Sequence, residues 1–325
     1  MWVCWFLFNL QTHFLYFDKL MNIVFCPDNN YFPQCAVCIT SICENNQGEE
    51  LHFFVLFHQP GEIVRSTFSQ LARTYNVPVD IVPIEPSQCA TFPTLANGTA
   101  TYHRLYIPEV IDADKALYLD CDMIVLGNLR ELYDTVLDVD TPCAMVVDQN
   151  ADLPFLKNVI HTHGTYFNAG MILMNLVYWR QHQVSQRIFD YISSRGQDQI
   201  MHDQGGINHV LENRIKEISY AYNYQAGWFS NSVNWSLSHD RFDEIYTCSM
   251  NPVVVHFNDT PLGRPWLEGC RHPLRDKYLY YAGLHDFLRP FVEVKRYTFL
   301  YRLLCWIVQK SISMRNKVPM YKAQS

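Results

Sequence analysis

Leu117-Tyr-Leu-Asp120-Cys121-Asp122-Met-Ile-Val-Leu126 sets two carboxylates in the middle of an apolar run. Extended backbone sends residues two apart to the same side. Asp120 and Asp122 are therefore expected to converge at the end of a buried strand. One carboxylate there is costly, and a close like-charged pair costs more unless a cation neutralises it. Oxygen ligands suit a hard divalent ion, and an ion with spare coordination positions can also grip a diphosphate. The bland alternative is a solvated pair of strand-end carboxylates. The flanking Leu-Tyr-Leu and Ile-Val-Leu triplets favour the metal.

Outward from this run, apolar strands alternate with helical patterns. Asn22–Cys26 reads as a strand, the Pro27-Asp28-Asn29-Asn30 turn follows, and Phe32–Ile42 reads as a helix. Leu51–Phe57 and Val77–Ile84 are further strands, with a helix over Pro60–Tyr75 between them. The alternation predicts an α/β domain with a parallel or mostly parallel sheet and helices on both faces. Ligands in such folds sit beyond the carboxyl ends of strands, where Asp28 and Asp122 fall. Ala116–Leu119, Pro142–Asp148, Tyr166–Asn175 and Val253–Phe257 are the remaining expected strands, the last carrying His256. Leu176–Ser193 reads as one amphipathic helix stopped by Arg195-Gly196, and Asp203-Gln204 precede a short helix over Ile207–Leu211.

Composition limits the alternatives. A chain of 325 residues, 49% hydrophobic and 18% charged, can bury a large core. Its 11 cysteines are odd in number and irregularly spaced, which suits buried thiols better than a disulfide framework. Cys35-Ala-Val-Cys38 has no second pair and falls on a helix expected to face the core, so it is read as structural rather than as zinc or redox chemistry. From Phe287 onward eight basic residues face one acid, a net +7 against −7 for the whole chain, so the preceding residues carry −14. An acidic body with a basic, aromatic tail points to an anionic surface as partner and gives no sign of nucleic-acid binding. Residues 1–20 lack a basic leading region and a small-residue cleavage site. They read as an extension, with Met21 a natural start. No run reaches the roughly 20 apolar residues of a membrane span.

Six blocks, in order, carry a resemblance: Met21-Asn-Ile-Val-Phe-Cys26-Pro-Asp28-Asn-Asn30-Tyr31; Thr101-Tyr-His-Arg104; Asp114-Lys-Ala-Leu-Tyr-Leu-Asp120-Cys121-Asp122; Tyr166-Phe-Asn168-Ala169-Gly170 with Asn175-Leu and Trp179-Arg180; His202-Asp203-Gln204; and His256-Phe-Asn followed by Arg264-Pro-Trp266. Together they resemble glycosyltransferase family 8, and within it the bacterial lipopolysaccharide and lipooligosaccharide galactosyl- or glucosyltransferases. The resemblance implies a GT-A type nucleotide-diphospho-sugar transferase fold, a single Rossmann-like domain over 21–272; the basic and aromatic composition beyond it reads as a helical, membrane-associating appendage over 273–325. The resemblance also implies retaining, metal-dependent transfer from a UDP-hexose.

By position, Cys26, Asp28 and Asn30 are expected to line the uridine and ribose pocket. The bland role of Asp28 and Asn30 is to form the turn and cap the next helix. Asp120, Asp122 and His256 correspond to the family's metal ligands, which suit Mn²⁺ first and Mg²⁺ second. Cys121 lies within that donor motif. Asn168 and Ala169 would contact the donor near its sugar, and Arg104 would set a planar cation against the sugar and diphosphate, its bland role being a surface ion pair. Asp203 and Gln204 would hold the sugar hydroxyls beside the anomeric carbon and are the candidate catalytic residues, although Asp203 also suits an N-cap. Asp148 is a further candidate for sugar or acceptor contact. His161 and His163 read as loop histidines.

No carboxylate pair of the two-step glycosidase type is evident, because Asp120 and Asp122 are committed to metal. The resemblance therefore favours same-face internal return, with Gln204 steadying the cationic centre. One departure from the family stands out. The loop after His256 is about two residues longer, with Asp259 near the usual Gly and Arg264 in place of Lys; Gly263 precedes it. Arg keeps the charge and can bind phosphate bidentately. The expected function is transfer of galactose or glucose to a lipid-linked saccharide at the cytoplasmic face of a membrane. The alternatives are glucosyl transfer to a protein or teichoic acid, and a non-catalytic nucleotide-sugar or glycan-binding protein.

Overall fold

The computed structural model describes residues 19–93, 99–151, 164–195, 202–230, 241–258 and 262–290. The chain begins with β1 (Leu20–Phe25), α1 (Phe32–Asn45), β2 (Glu50–Phe57), α2 (Glu62–Tyr75) and β3 (Val79–Pro83). It continues through β4 (Lys115–Leu119), β5 (Met123–Val125), β6 (Cys143–Val147) and β7 (Phe167–Asn175). Then come α3 (Leu176–Gln181), α4 (Val184–Arg195), α5 (His202–Val210), β8 (Lys216–Glu217), β9 (Tyr224–Gln225), β10 (Val254–His256) and α6 (Arg275–Gly283).

The large sheet has the order β3-β2-β1-β4-β7-β6-β8. Every strand runs the same way except β7, which is antiparallel to both β4 and β6. The mostly parallel sheet expected from the alternation is present. A second sheet, β5-β10-β9, has no counterpart in the sequence reading. Its β5 has three residues, too few for periodicity to show, and exists through antiparallel pairing with β10.

Helix α1 joins the two sheets. Its residues from Phe32 to Cys43 are all buried, so it is enclosed by protein on every side. Its polar side chains close hydrogen bonds inside the core. Thr40 donates to the Ala36 carbonyl, and Ser41 donates to the Cys38 carbonyl while accepting from the Val125 N–H of β5 at 2.9 Å. Asn45 donates to the Val125 carbonyl, and Asn46 accepts from Leu129 N–H at 2.7 Å. These bonds satisfy the backbone of a short strand that would otherwise bury unpaired groups. Cys35 and Cys38 lie on this helix, wholly buried, and burial pushes both thiols well above their ordinary pKa. The structural reading of that pair stands.

Two local expectations are corrected. The helix over Leu176–Ser193 is two helices, broken where Gln183 takes φ 49°. The helix expected at Ile207 begins at His202, whose φ is 48°, so Asp203 lies inside its first turn rather than ahead of it. A carboxylate there complements the helix dipole. The basic run beyond 290, the extension over 1–18, and Asp259, His161 and His163 lie outside the described residues. Among the described residues no helix is long and apolar enough to cross a membrane.

Two buried histidines affect stability. Burial, aided by His58 and Arg104 and opposed by Asp28, lowers His103 to about 4; burial alone lowers His272 to about 3. Above pH 7 both are neutral folded or unfolded. As pH falls through 6.5 the unfolded chain takes up protons first, so stability is lost. The slope is about 1.4 kcal/mol per pH unit for each histidine. We expect the urea midpoint to be lower at pH 5.0 than at pH 7.5, and the gap to narrow in His103→Leu and in His272→Leu. His256, whose pKa is raised, works the other way in all three proteins. An equal gap in all three would show that neither ring is held neutral.

Candidate active site

An open cleft of about 490 Å³ lies beyond the carboxyl ends of β1 and β4, against the start of α5 and the 3-10 helix Ala100–Tyr106. Asp120-Cys121-Asp122 is the corner at which the chain leaves the large sheet and enters the small one. The carboxylates converge through this bend rather than through unbroken strand alternation. Asp120 N–H bonds to the Gly170 carbonyl at 2.7 Å, and the Asp122 carbonyl accepts from Phe257 N–H at 2.8 Å. The second bond and the pairing of Met123 with His256 bring the imidazole beside the two carboxylates.

His256 Nε2 lies 3.2 Å from Asp122 Oδ1 and 3.7 Å from Asp120 Oδ2. Burial works against charge on this ring, but Asp122 and Asp120 outweigh it and hold the pKa above its usual value. One ligand atom from each of the three residues lies within 4.8 Å of the others, among the described residues the sole such grouping. Two hard carboxylates and one imidazole fit Mn²⁺ or Mg²⁺ by donor chemistry. Gly170 leaves room for the ring. A Cβ there would sit 2.8 Å from His256 Nδ1 and 2.9 Å from Asn168 Oδ1.

Arg104 is buried, not at the surface. Its Nε lies 2.9 Å from Asp203 Oδ2 and its Nη2 3.0 Å from Asp120 Oδ1. Its Nη1 donates to the Ala169 carbonyl, and the guanidinium stacks 4.5 Å over the Tyr118 ring. Burial opposes its charge, but Asp120 and Asp203 outweigh burial and fix it as a cation. Asp203 is 2% exposed; burial pushes its carboxyl up, while Arg104 and the donating Thr101 hydroxyl pull it down. Tyr118 donates to Asp120 Oδ1 at 2.5 Å.

Gln204 has every polar position engaged. Its Oε1 accepts from Ala169 N–H at 2.9 Å and Asn168 Nδ2 at 3.3 Å. Its Nε2 donates to Tyr166 at 2.9 Å and to Asp148 Oδ2 at 3.2 Å. Asp148 also accepts from Asn168 Nδ2 at 2.9 Å. The β6–β7 irregularity after Met145 leaves Ala169 and Gly170 out of the β6 pairing, which frees their backbone for such contacts.

The cleft thus brings together Cys26, Asp28, Arg104, Asp120, Cys121, Asp122, Ala169, Asp203, Gln204 and Arg264 among the residues singled out from sequence. Asn168 and His256 stand just behind its wall, bonded to residues that line it. Asn30 does not line it. Asp28 Oδ1 accepts from the N–H groups of Asn30 and Tyr31, both at 2.8 Å, so the turn-forming role is present while Asp28 still faces the cleft. Arg264 approaches Asp122 at 3.8 Å and lies over the rings of Tyr31 and Trp266. Sequence reading missed the parts of Tyr118, Thr101, Tyr166 and Asn223. The first three sit inside quoted motifs. Asn223 carries no local signal at all.

A family model described as glycosyl transferase family 8 matches residues 22–270. General stress protein A of Bacillus subtilis is 27% identical over 280 residues, covering 82% of this chain and 94% of that protein. A lipopolysaccharide 1,3-galactosyltransferase of Salmonella typhimurium is 27% identical over 271 residues, covering 81% and 77%. The crystal structure of the galactosyltransferase LgtC in complex with donor and acceptor sugar analogues matches with a TM-score of 0.73 at 25% identity, covering 83% of this chain and 100% of that one. The fold is the GT-A type.

Two substitutions test this arrangement. Arg104→Gln strips the cation from two carboxylates and should cost about 3–5 kcal/mol in urea unfolding; a loss under about 1 kcal/mol would show that the ion pairs contribute little. Gly170→Ala should displace the His256 ring and weaken Mn²⁺ binding at least about tenfold by calorimetry, and unchanged affinity would place the ring outside the metal site.

Proposed function

The chain belongs to glycosyl transferase family 8, and from that membership we propose that it moves a hexose, galactose or glucose, from UDP to a saccharide acceptor with retention of configuration. The observation that carries this reading is the meeting of Asp120 and Asp122, on the wall of the cleft that Asp203 and Gln204 also line, with His256 just behind that wall. These three residues would hold Mn²⁺, or Mg²⁺ as second choice. The ion, when bound, supplies Lewis-acid stabilisation of charge developing on the diphosphate.

This chain's residues account for the rest. Tyr31, Cys26 and Asp28 offer an aromatic face and a carboxylate for the nucleoside, and Arg264 brings a cation toward the diphosphate side. Asp203 has one oxygen against Arg104 and faces the cleft, suited to accept from a sugar hydroxyl. Gln204, with both amide hydrogens and both oxygen lone pairs engaged, is a fixed dipole rather than a mobile nucleophile. That favours internal return on one face of the sugar, with Gln204 steadying positive charge at the anomeric carbon. Arg104 does not meet the diphosphate in this reading; its cation is spent on Asp120 and Asp203, and it positions both.

The acceptor is proposed to be a lipid-linked saccharide of the lipopolysaccharide type, supported by similarity to the Salmonella transferase. The +7 tail beyond Phe287 fits approach to an anionic membrane surface from the cytoplasmic side. Residues 21–272 would form the catalytic domain and 273–325 the appendage.

Hydrolysis of a UDP-hexose panel with Mn²⁺ and with chelator tests the reading. One donor should turn over only with metal, and Asp122→Asn should lower that turnover about 100-fold or more. Failure of the protein to bind UDP at all would sink the assignment.

A further inference from the structure

Asn223 is fully buried at the end of the 3-10 helix Tyr220–Asn223, immediately before β9. Parallel pairing of β9 with β10 sets it beside His256. Its Oδ1 lies 3.1 Å from His256 Nδ1, and its Nδ2 lies 2.8 Å from Asn168 Oδ1.

Amide oxygen and nitrogen are alike in shape, so the network must decide which is which. Gly170 offers Asn168 a backbone N–H at 3.0 Å, which can only donate. The Asp148 carboxylate, 2.9 Å from the other end of the Asn168 amide, can accept from it. Asn168 therefore turns its oxygen to Gly170 and its nitrogen to Asp148; the reverse would set donor against donor and acceptor against acceptor. Asn223 must then present its NH₂ to Asn168 Oδ1. Its own oxygen is left facing His256 Nδ1, and that oxygen can only accept.

We infer that Asn223 is a positioning residue that holds the proton of His256 on Nδ1, so that Nε2 is the nitrogen offered to a metal ion between Asp120 and Asp122. The orientation starts at the Gly170 N–H and passes through Asn168 and Asn223 to the imidazole. A ring flip or tautomer exchange would leave a buried amide oxygen unpaired. Asn168 also bonds Gln204, so the group beside the sugar and the imidazole at the metal share one rigid line of amides. This role rests on the metal-site reading of Asp120, Asp122 and His256.

Nitrogen-15 spectra of the ring in the full-length wild type saturated with diamagnetic Mg²⁺, assigned by their loss in His256→Gln, test it directly. Nδ1 should be protonated and Nε2 shifted by metal; a proton on Nε2 overturns the inference without any change to Asn223. Calorimetry adds two variants, read as Mn²⁺ affinity in the presence of UDP. Asn223→Ala should lose about 10- to 100-fold. Asn223→Leu keeps the volume but offers no acceptor toward Nδ1, and should also lose about 10- to 100-fold. A packing role alone would spare Asn223→Leu, and that result, or unchanged affinity in Asn223→Ala, overturns the relay. Absence of Mn²⁺ binding in the wild type is a different outcome: it fells the metal reading and this role with it.

Discussion

Negative charge packed into one wall is the constraint on which the rest of this site depends. Asp122, Asp148 and Asp203 are all buried, and Asp120 stands among them half-covered. Carboxylates removed from water repel one another and lose hydration, so each must be matched by a cation or by donors. Arg104 serves Asp120 and Asp203 together. The amides of Asn168 and Gln204 serve Asp148. Asp122 has His256, with Arg264 farther off, and is the member left with most capacity for an added cation. The sheet, the corner and the start of α5 are where they are so that these groups can meet.

The small sheet makes this possible. A doubly wound sheet alone would carry Asp120 and Asp122 out past the end of β4. Turning the chain into β5 and pairing it with β10 brings in an imidazole more than 130 residues away in sequence. The bonds from α1 to Val125 anchor that short strand, so the geometry of the corner is tied to the core of the domain.

Much of this was legible in the sequence, for physical reasons. Apolar runs interrupted by Asp120 and Asp122 cannot be explained by packing, and the alternation of strand and helix gave the parallel order. Other features arise from contacts distant along the chain. Arg104 lines the cleft, but its pairing with Asp203, 99 positions later, has no local signal. Helix limits at Gln183 and His202 depend on left-handed backbone that neither residue type announces. Asn223 sits in an unremarkable Tyr-Ala-Tyr-Asn stretch, and only the pairing of β9 with β10 shows what its amide faces.

The thiols packed behind the corner bear on how the site meets oxidants and electrophiles. Cys26 and Cys121 touch the cleft, and Cys35 and Cys38 lie deeper on α1. Burial raises all four thiols, Cys26 and Cys121 included. The thiolate is the reactive form of cysteine, and a buried thiol held above its ordinary pKa offers little of it. The four sulfurs therefore fill space behind the carboxylates as small apolar groups rather than as nucleophiles.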